Sequence, residues 1–96
     1  PLQSLFWMNS YFIQKNAAAF AARLARLEAE PEKRVKLAYQ LALNRQPKGN
    51  EVAEMMNYLE GYAAKIIDEG AAVGMERAWT SFCRILYASN EFIYVQ

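Results

Sequence analysis

The sequence contains no histidine and one cysteine, Cys83. A disulfide framework, a Cys/His zinc site, a C-x-x-C-H haem attachment and a His-dependent catalytic triad all need more of these residues than this sequence holds. Glycine and proline are scarce (Gly 4, Pro 3), which excludes collagen-like and low-complexity chains. Charged residues such as Lys15, Arg23 and Arg26 interrupt every apolar run before it reaches about 18 residues, so we predict no membrane-spanning helix.

What remains is an apolar chain of 96 residues, 54% hydrophobic and 22% charged. That composition is too apolar for a disordered segment, and the length suits one small core. We therefore predict a single helical domain over residues 1–96. The sequence begins Pro1-Leu2-Gln3-Ser4, with neither an initiator Met nor a signal peptide, so we expect either a mature product or, as the preferred interpretation, a fragment of a larger multidomain protein.

Charge is distributed unevenly along the chain. Residues 1–48 carry 8 Lys/Arg and 3 Asp/Glu, whereas residues 49–96 carry 3 and 7. If the two halves pack together, the electrostatic field of the basic half and that of the acidic half largely cancel. The alternative is weak nucleic-acid binding by the basic half. The residues that would carry it are Lys33, Arg34, Lys36 and Lys48.

Pro31 separates the first two predicted helices. The first begins near Asn9-Ser10, and its apolar stripe consists of Ile13, Ala17, Phe20, Leu24 and Leu27. Pro31 ends this helix and suits the first turn of the next, which runs to about Asn44. The second stripe consists of Val35, Ala38, Tyr39 and Ala42, widened by Leu37 and Leu41. We expect this second helix to be largely buried.

The third predicted helix follows the clearest break in the chain, residues 45–50, where Pro47 disfavours helical geometry at Gln46. Either Asn50 or a turn around Lys48 would cap it. Its stripe consists of Val52, Met55, Met56, Leu59, Ala63 and Ile66. Gly70 is placed to end this helix as a left-handed C-cap, and residues 70–74 form a loop of small residues.

A fourth helix is predicted from roughly Met75 to Ala88. Its inward residues are Met75, Trp79, Phe82 and Leu86. The alternating residues 91–95 could form a strand, but a single strand has no partner here, so we expect an extended tail pinned by Phe92 and Tyr94. The fold class is therefore all-α, a small four-helix bundle-like domain with a short extended C-terminal tail.

Few residues could perform catalysis or bind a metal. Cys83 lies on an apolar helix face, where burial raises a thiol pKa, so we interpret it as structural. The acid pairs Glu51/Glu54 and Asp68/Glu69 lack the roughly six oxygen ligands of a calcium loop, and Glu51/Glu54 suits the first turn of a helix. We predict no catalytic, cofactor-binding or metal-binding residue.

One apolar cluster is too large for the edge of a bundle to hide. Its members are Leu5, Phe6, Trp7, Met8 and Tyr11, followed by Phe12. Contiguous exposed apolar patches usually mark interfaces. We therefore expect this cluster to dock onto another part of the parent protein or to self-associate.

A side-chain contact is also predicted between Arg45 and Glu91, which both follow helix ends. A four-helix arrangement can bring these two breaks to the same end of the domain. An Arg–carboxylate fork would then tie the tail to the turn between the second and third helices. The alternative is two solvated charges that contribute ~0–1 kcal/mol.

Three segments of the sequence form a recognisable pattern. They are Leu5-Phe6-x-x-Asn9-Ser10-x-Phe12, Tyr39-x-x-Ala42-Leu43-x-Arg45-x-Pro47-x-x-x-Glu51, and Trp79 with Asn90-Glu91-Phe92-x-Tyr94-Val95. The pattern resembles the C-terminal part of a family of unknown function found beside cytochrome c-type domains in large exported proteins of planctomycetes and related bacteria. The chain departs from that family at Asn44, usually Gly, at Lys48, usually Thr, and at Tyr11, where Pro is common.

The resemblance implies an extracytoplasmic (periplasmic or cell-surface) multidomain protein in which any haem belongs to another domain. It implies that the signature residues form the framework that joins helix ends: Arg45, Pro47, Glu51, Asn90, Glu91, Phe92 and Tyr94. No catalytic residue carries over, because the family has no established activity. The leading hypothesis is a noncatalytic interaction module. The alternative is one wall of a composite enzyme site, with Arg45, Glu91 and Tyr94 as candidates.

Overall fold

The structure, a computed structural model, describes residues 16–66 and 68–89. Within these ranges the chain forms four α-helices and no strand, which confirms the all-α prediction. The helices are α1 (16–27 in the described part), α2 (Pro31–Leu43), α3 (Glu51–Ala64) and α4 (Ala71–Ala88). None of them is both long and apolar enough to cross a membrane. The predicted tail lies outside the described residues.

The core forms where the inner faces of the helices meet. α1 contributes residues spaced three and four apart, as the helical period requires: Ala17, Phe20, Ala21 and Leu24. From α2 come Val35, Ala38, Tyr39 and Leu43, and from α3 comes Leu59. α4 contributes most, with Ala78, Trp79, Phe82, Cys83 and Leu86. The predicted inward residues of α1, α2 and α4 are therefore mostly buried, whereas five of the six predicted in α3 are only half-buried: Val52, Met55, Met56, Ala63 and Ile66.

Three residues predicted to face inward are exposed instead. Leu27 is 57% exposed and Leu41 is 44% exposed. An α-helix turns ~100° per residue, which places Leu27 at the edge of its stripe and Leu41 roughly 130° from the centre of the α2 stripe. Met75 is on the inner face of α4 but is 37% exposed, because the α1 residues that line the same cavity are mostly alanines, too small to cover it.

The ends of α2 match the sequence prediction to within one residue. Pro31 occupies the first turn, where its missing N–H leaves no hydrogen bond unmade. The helix ends at Leu43, and Asn44 has a left-handed conformation with φ 57°. Asn is among the few residues that adopt this conformation readily, and Gly adopts it most easily.

The predicted connection between α3 and α4 is wrong. α3 ends at Ala64 rather than at Gly70, and α4 begins at Ala71 rather than near Met75. Gly70 does have a positive φ of 96°, but it precedes the first turn of α4 instead of ending α3. Gly74 is buried inside α4, where the absence of a side chain lets the helix approach the α3 backbone.

Aromatic and hydroxyl groups join the helices across the core. Phe20, in the first described turns of α1, stacks on Tyr87 near the end of α4, with ring centroids 5.3 Å apart. Between α3 and α4, the Tyr58 hydroxyl and the Ser81 hydroxyl form a hydrogen bond of 2.5 Å. Because Ser81 is buried, this bond satisfies a polar group that would otherwise be costly to remove from water.

Candidate functional site

The turn between α2 and α3 is held by a forked ion pair. Arg45 donates from Nη1 to Oε1 of Glu51 at 2.9 Å and from Nη2 to Oε2 at 3.1 Å. The same Nη1 also donates to the carbonyl oxygen of Gln46 at 2.9 Å. The side chains are 19% and 30% exposed, respectively. Two parallel, charge-assisted bonds in a partly buried place fix both distance and orientation.

Backbone groups around Lys48 complete this turn. The Lys48 N–H donates to Oε1 of Glu51 at 2.5 Å, and the Glu51 N–H donates to the Lys48 carbonyl at 2.8 Å. Asn50 precedes α3 but its side chain makes no capping hydrogen bond. Of the two predicted caps, the turn around Lys48 is therefore the one observed. A carboxylate in the first turn also complements the helix dipole.

The charge of Glu51 is stabilised by its surroundings. The hydrogen bond from Arg45 is the main cause that holds the pKa of Glu51 below its ordinary value of 4.5, and the Lys48 N–H adds to it against the opposing effect of desolvation. The Arg45 guanidinium also lies 5.2 Å from the ring centroid of Tyr39, a cation–π contact with a core residue. The pair is thus tied to both the turn and the core.

The predicted partner of Arg45 was Glu91, which lies outside the described residues, so that contact stays a prediction. Sequence reasoning missed Glu51 as a partner, although Arg45, Pro47 and Glu51 all belong to the quoted signature. The signal that could have found it is the spacing. Glu51 lies in the first turn of α3, just after the turn that begins at Arg45 and contains Pro47. A carboxylate at that place can accept hydrogen bonds from the arginine side chain.

Arg34 performs a second structural role that the sequence did not indicate. Its Nε donates to the carbonyl of Glu28 at 2.7 Å, and its Nη2 donates to the carbonyl of Ala29 at 3.1 Å. Its guanidinium carbon lies 4.7 Å from the ring centroid of Trp79. Arg34 therefore joins the connection after α1 to the core of α4.

The remaining nucleic-acid candidates occupy different places. Lys33 pairs with Glu30 at 3.5 Å, and both side chains are exposed. Lys36 and Lys48 are exposed, on α2 and in the following turn. Among the described residues, Arg34 lines a cavity that Lys33, Lys36 and Lys48 do not line.

A half-open groove lies between α1 and α4, with a volume of about 520 Å³. Small residues form much of its wall, among them Ala18, Ala22, Ala25 and Ala72. Trp79 and Met75 give it apolar depth. Arg26 lies on the α1 side, whereas Glu76 lies on the α4 side. Neither Arg45 nor Glu51 lines this groove.

Two other potentially reactive side chains are enclosed or paired: Cys83 is buried, and Glu69 forms an ion pair. Burial raises the pKa of the Cys83 thiol to about 12, so the reactive thiolate is strongly disfavoured. Glu69 accepts a fork from Arg77, with bonds of 2.6 and 3.0 Å. Across residues 16–66 and 68–89, no three Cys, Asp or Glu residues come together as a metal site.

The predicted apolar cluster at residues 5–12 and the signature residues Asn90, Glu91, Phe92 and Tyr94 lie outside the described residues. Comparison with known proteins adds one finding. A family model described as PSD1, protein of unknown function (DUF1553), matches residues 1–59. No curated protein and no solved structure matches the chain.

Proposed function

Because the chain belongs to the PSD1 (DUF1553) family of unknown function, we propose that it is a noncatalytic helical module of a larger exported bacterial protein. It packs against other domains of that protein. The resemblance described above supports a planctomycete-type parent, an extracytoplasmic location and a neighbouring cytochrome c-type domain that holds the haem. In this role the chain supplies shape and surface rather than reactive groups.

The observation that carries this proposal is the fork between Arg45 and Glu51. Both belong to the signature through which the chain resembles its relatives, yet each satisfies the other's charge at a helix corner. Among the described residues, neither lines the groove between α1 and α4 or a second cavity beside Ala63 and Met75. Groups used in catalysis normally face a cleft where a substrate can reach them. Because Arg45 and Glu51 join the ends of two helices, the signature supports a framework role.

The proposed contact surface is the apolar cluster of Leu5, Phe6, Trp7, Met8 and Tyr11. Apolar side chains of this size stabilise an interface by removing their surface from water, at about 25 cal/mol per Å². Aromatic residues and Met are also enriched where proteins meet. The cluster is therefore the part of the chain that we expect a neighbouring domain to cover.

Oxidative footprinting with mass spectrometry tests the proposal. The isolated 96-residue chain and the full gene product are exposed to hydroxyl radicals under the same conditions. We expect Trp7 and Met8 to be modified several-fold faster in the isolated chain. The core residue Tyr39 is the internal reference, because it is buried by this domain itself. The absorption spectrum of the same full-length sample reports whether haem is present.

Equal modification of Trp7 and Met8 in the two samples would contradict the interface. A full-length product without haem absorption would contradict the cytochrome c association. The role as a packing module would then be tested by the oxidative modification of Trp7 and Met8 alone. Turnover of a substrate that is abolished by Arg45→Lys, in a variant that remains folded, would contradict the noncatalytic role.

A further inference from the structure

The groove between α1 and α4 has a mostly apolar lining, and its volume of about 520 Å³ lies within the range of small-molecule sites. Met75, which is 37% exposed, lines it beside the buried Trp79. The other apolar residues of the lining are all alanines: Ala18, Ala21, Ala22, Ala25 and Ala72. Because alanine side chains are short, they leave the apolar surface of Met75 open to a molecule in the groove.

Arg34 supplies a fixed cationic group to the same lining. It is half-buried, and its guanidinium carbon lies 4.7 Å from the ring centroid of Trp79. Its Nε and Nη2 donate to the backbone carbonyls of Glu28 and Ala29. Among the residues that the structure describes, Nη1 takes part in no hydrogen bond. The fold therefore holds the guanidinium in place and leaves the N–H groups of Nη1 to bind an acceptor.

Trp79 supplies a second donor. Its side chain is only 4% exposed, yet its indole N–H makes no hydrogen bond to any described residue. No fully buried side-chain nitrogen or oxygen in the described ranges lacks a partner, so this N–H is open to solvent. An indole N–H in such a place usually binds an acceptor. Trp79 and Arg34 both line the groove, so an acceptor there has two donors on neighbouring side chains.

The charges of the lining favour a ligand with one negative charge. Arg26, Arg34 and Glu76 are the charged residues that line the groove, which gives a net charge of +1. In the described part of the chain none of the three forms an ion pair. A phosphate monoester carries nearly two negative charges at pH 7, whereas a carboxylate carries one and leaves the lining neutral.

We propose that the groove binds a small amphiphilic carboxylate, a molecule with one carboxylate and an apolar chain, such as a medium-chain fatty acid. The carboxylate accepts hydrogen bonds from Nη1 of Arg34 and from the indole N–H of Trp79. The apolar chain lies along the alanines of α1 and covers Met75, which removes apolar surface from water. The site does not include the apolar cluster at residues 5–12, so this proposal and the proposed packing against a parent protein can fail separately.

Isothermal titration calorimetry of the 96-residue chain tests the proposal, with decanoate kept below the concentration at which it forms micelles. We expect saturable binding of one decanoate per chain. Decanol has the same apolar chain without the charge and should bind about tenfold more weakly, because it forms no charge-assisted hydrogen bond. Acetate has the charge without the chain, and decylamine carries the opposite charge. Neither of these two should bind measurably.

Two variants locate the site, each with a matched control. Arg34→Gln removes the anchoring charge and should weaken decanoate binding about tenfold. Lys36→Gln loses the same charge at an exposed α2 position outside the groove and should not weaken it. Ala22→Phe fills the groove from an exposed position of α1 and should abolish binding. Ala19→Phe adds the same side chain at an exposed α1 position outside the groove and should leave binding unchanged.

A chain that binds no decanoate overturns the proposal, as does one that binds decanol or decylamine as tightly as decanoate. Binding that Ala22→Phe leaves intact also overturns it, because the ligand then lies elsewhere on the chain. Circular dichroism establishes which variants are folded. Unchanged binding by folded Arg34→Gln contradicts the role of Arg34 as the anchor, and if that variant does not fold, decanol and the two phenylalanine variants decide.

Discussion

Gly74 of α4 lies against the backbone carbonyl of Ala63 in α3, and a Cβ added at Gly74 would stand 2.9 Å from that carbonyl oxygen. This is shorter than an ordinary carbon–oxygen contact, and the group in the way is backbone, which cannot rotate aside as a side chain can. The absence of a side chain at this one position sets how closely the two helices pack.

Gly74→Ala should therefore destabilise the domain, by ~1–3 kcal/mol, because the added methyl group must push α3 and α4 apart. Gly61→Ala is the matched control, since a Cβ at Gly61 meets nothing within 4 Å and the residue is helical. It should instead stabilise α3, by up to ~1 kcal/mol. Urea unfolding followed by circular dichroism measures both. Equal effects of the two substitutions would contradict the close approach.

The fork between Arg45 and Glu51 should contribute measurably to stability, because it is partly buried and bidentate. Arg45→Ala is expected to cost ~1–3 kcal/mol, and Arg45→Lys should recover only part of this, because lysine cannot form the fork. The exposed fork of Arg77 and Glu69, 52% and 48% exposed, is the control. Arg77→Ala should cost less than ~1 kcal/mol. A double-mutant cycle on each pair measures the coupling.

Stability should fall in acid partly through Glu51. Because the folded state lowers the pKa of this carboxyl below 4.5, the unfolded state takes up its proton first as the pH falls. The contribution of Glu51 is therefore fully present above its ordinary pKa and is lost as the pH falls through the folded value. Unfolding free energies measured between pH 7 and pH 3 should decline less steeply for Glu51→Gln than for the wild-type chain. Parallel curves would contradict this assignment.

Arg34 should stabilise the connection between α1 and α2. Arg34→Ala removes two hydrogen bonds to backbone carbonyls and a cation–π contact with Trp79, at an expected cost of ~1–3 kcal/mol. Lys33→Ala next to it removes only an exposed pair and should cost less than ~1 kcal/mol. Thermal unfolding of the two variants separates these outcomes, and similar melting temperatures would reject the structural role of Arg34.

Cys83 should react only when the chain unfolds. Its thiol is buried and its pKa is raised to about 12, so at pH 8 almost no thiolate is present or accessible. Labelling by iodoacetamide, followed by mass spectrometry, is expected to be orders of magnitude slower in buffer than in denaturing urea. Rapid labelling of the folded chain would show that Cys83 is not enclosed.

Sequence patterns predicted the parts of this fold that depend on local chemistry. Helical spacing of apolar residues identified Leu24, Tyr39 and Phe82 as core, because only one face of each helix can be buried. Pro31 marked the start of α2 because its ring suits a first turn. The same reasoning overestimated burial at Leu41, since an apolar residue far from the stripe has no neighbouring helix to cover it.

Other features depend on how the chain folds in three dimensions. Glycine permits either a left-handed turn or a close helix contact, and the sequence does not distinguish Gly70, which precedes a helix, from Gly74, which lies within one. Glu51 is missed as a partner of Arg45 because reading along the chain does not show that the Pro47 turn brings the two together; the contact of Arg45 with Glu91 stays a prediction. Arg34 looked like a surface charge because the carbonyls after α1 carry no sequence signal.

The hydrogen bond between Tyr58 and Ser81 fixes how far α4 can slide along α3. A displacement by one helical turn, ~5.4 Å, would separate the two hydroxyls and leave that of Ser81 without its partner in an apolar interior. Apolar contacts alone tolerate such a slip, because similar side chains recur every turn. This hydrogen bond therefore fixes the register between α3 and α4, the two longest helices among the described residues.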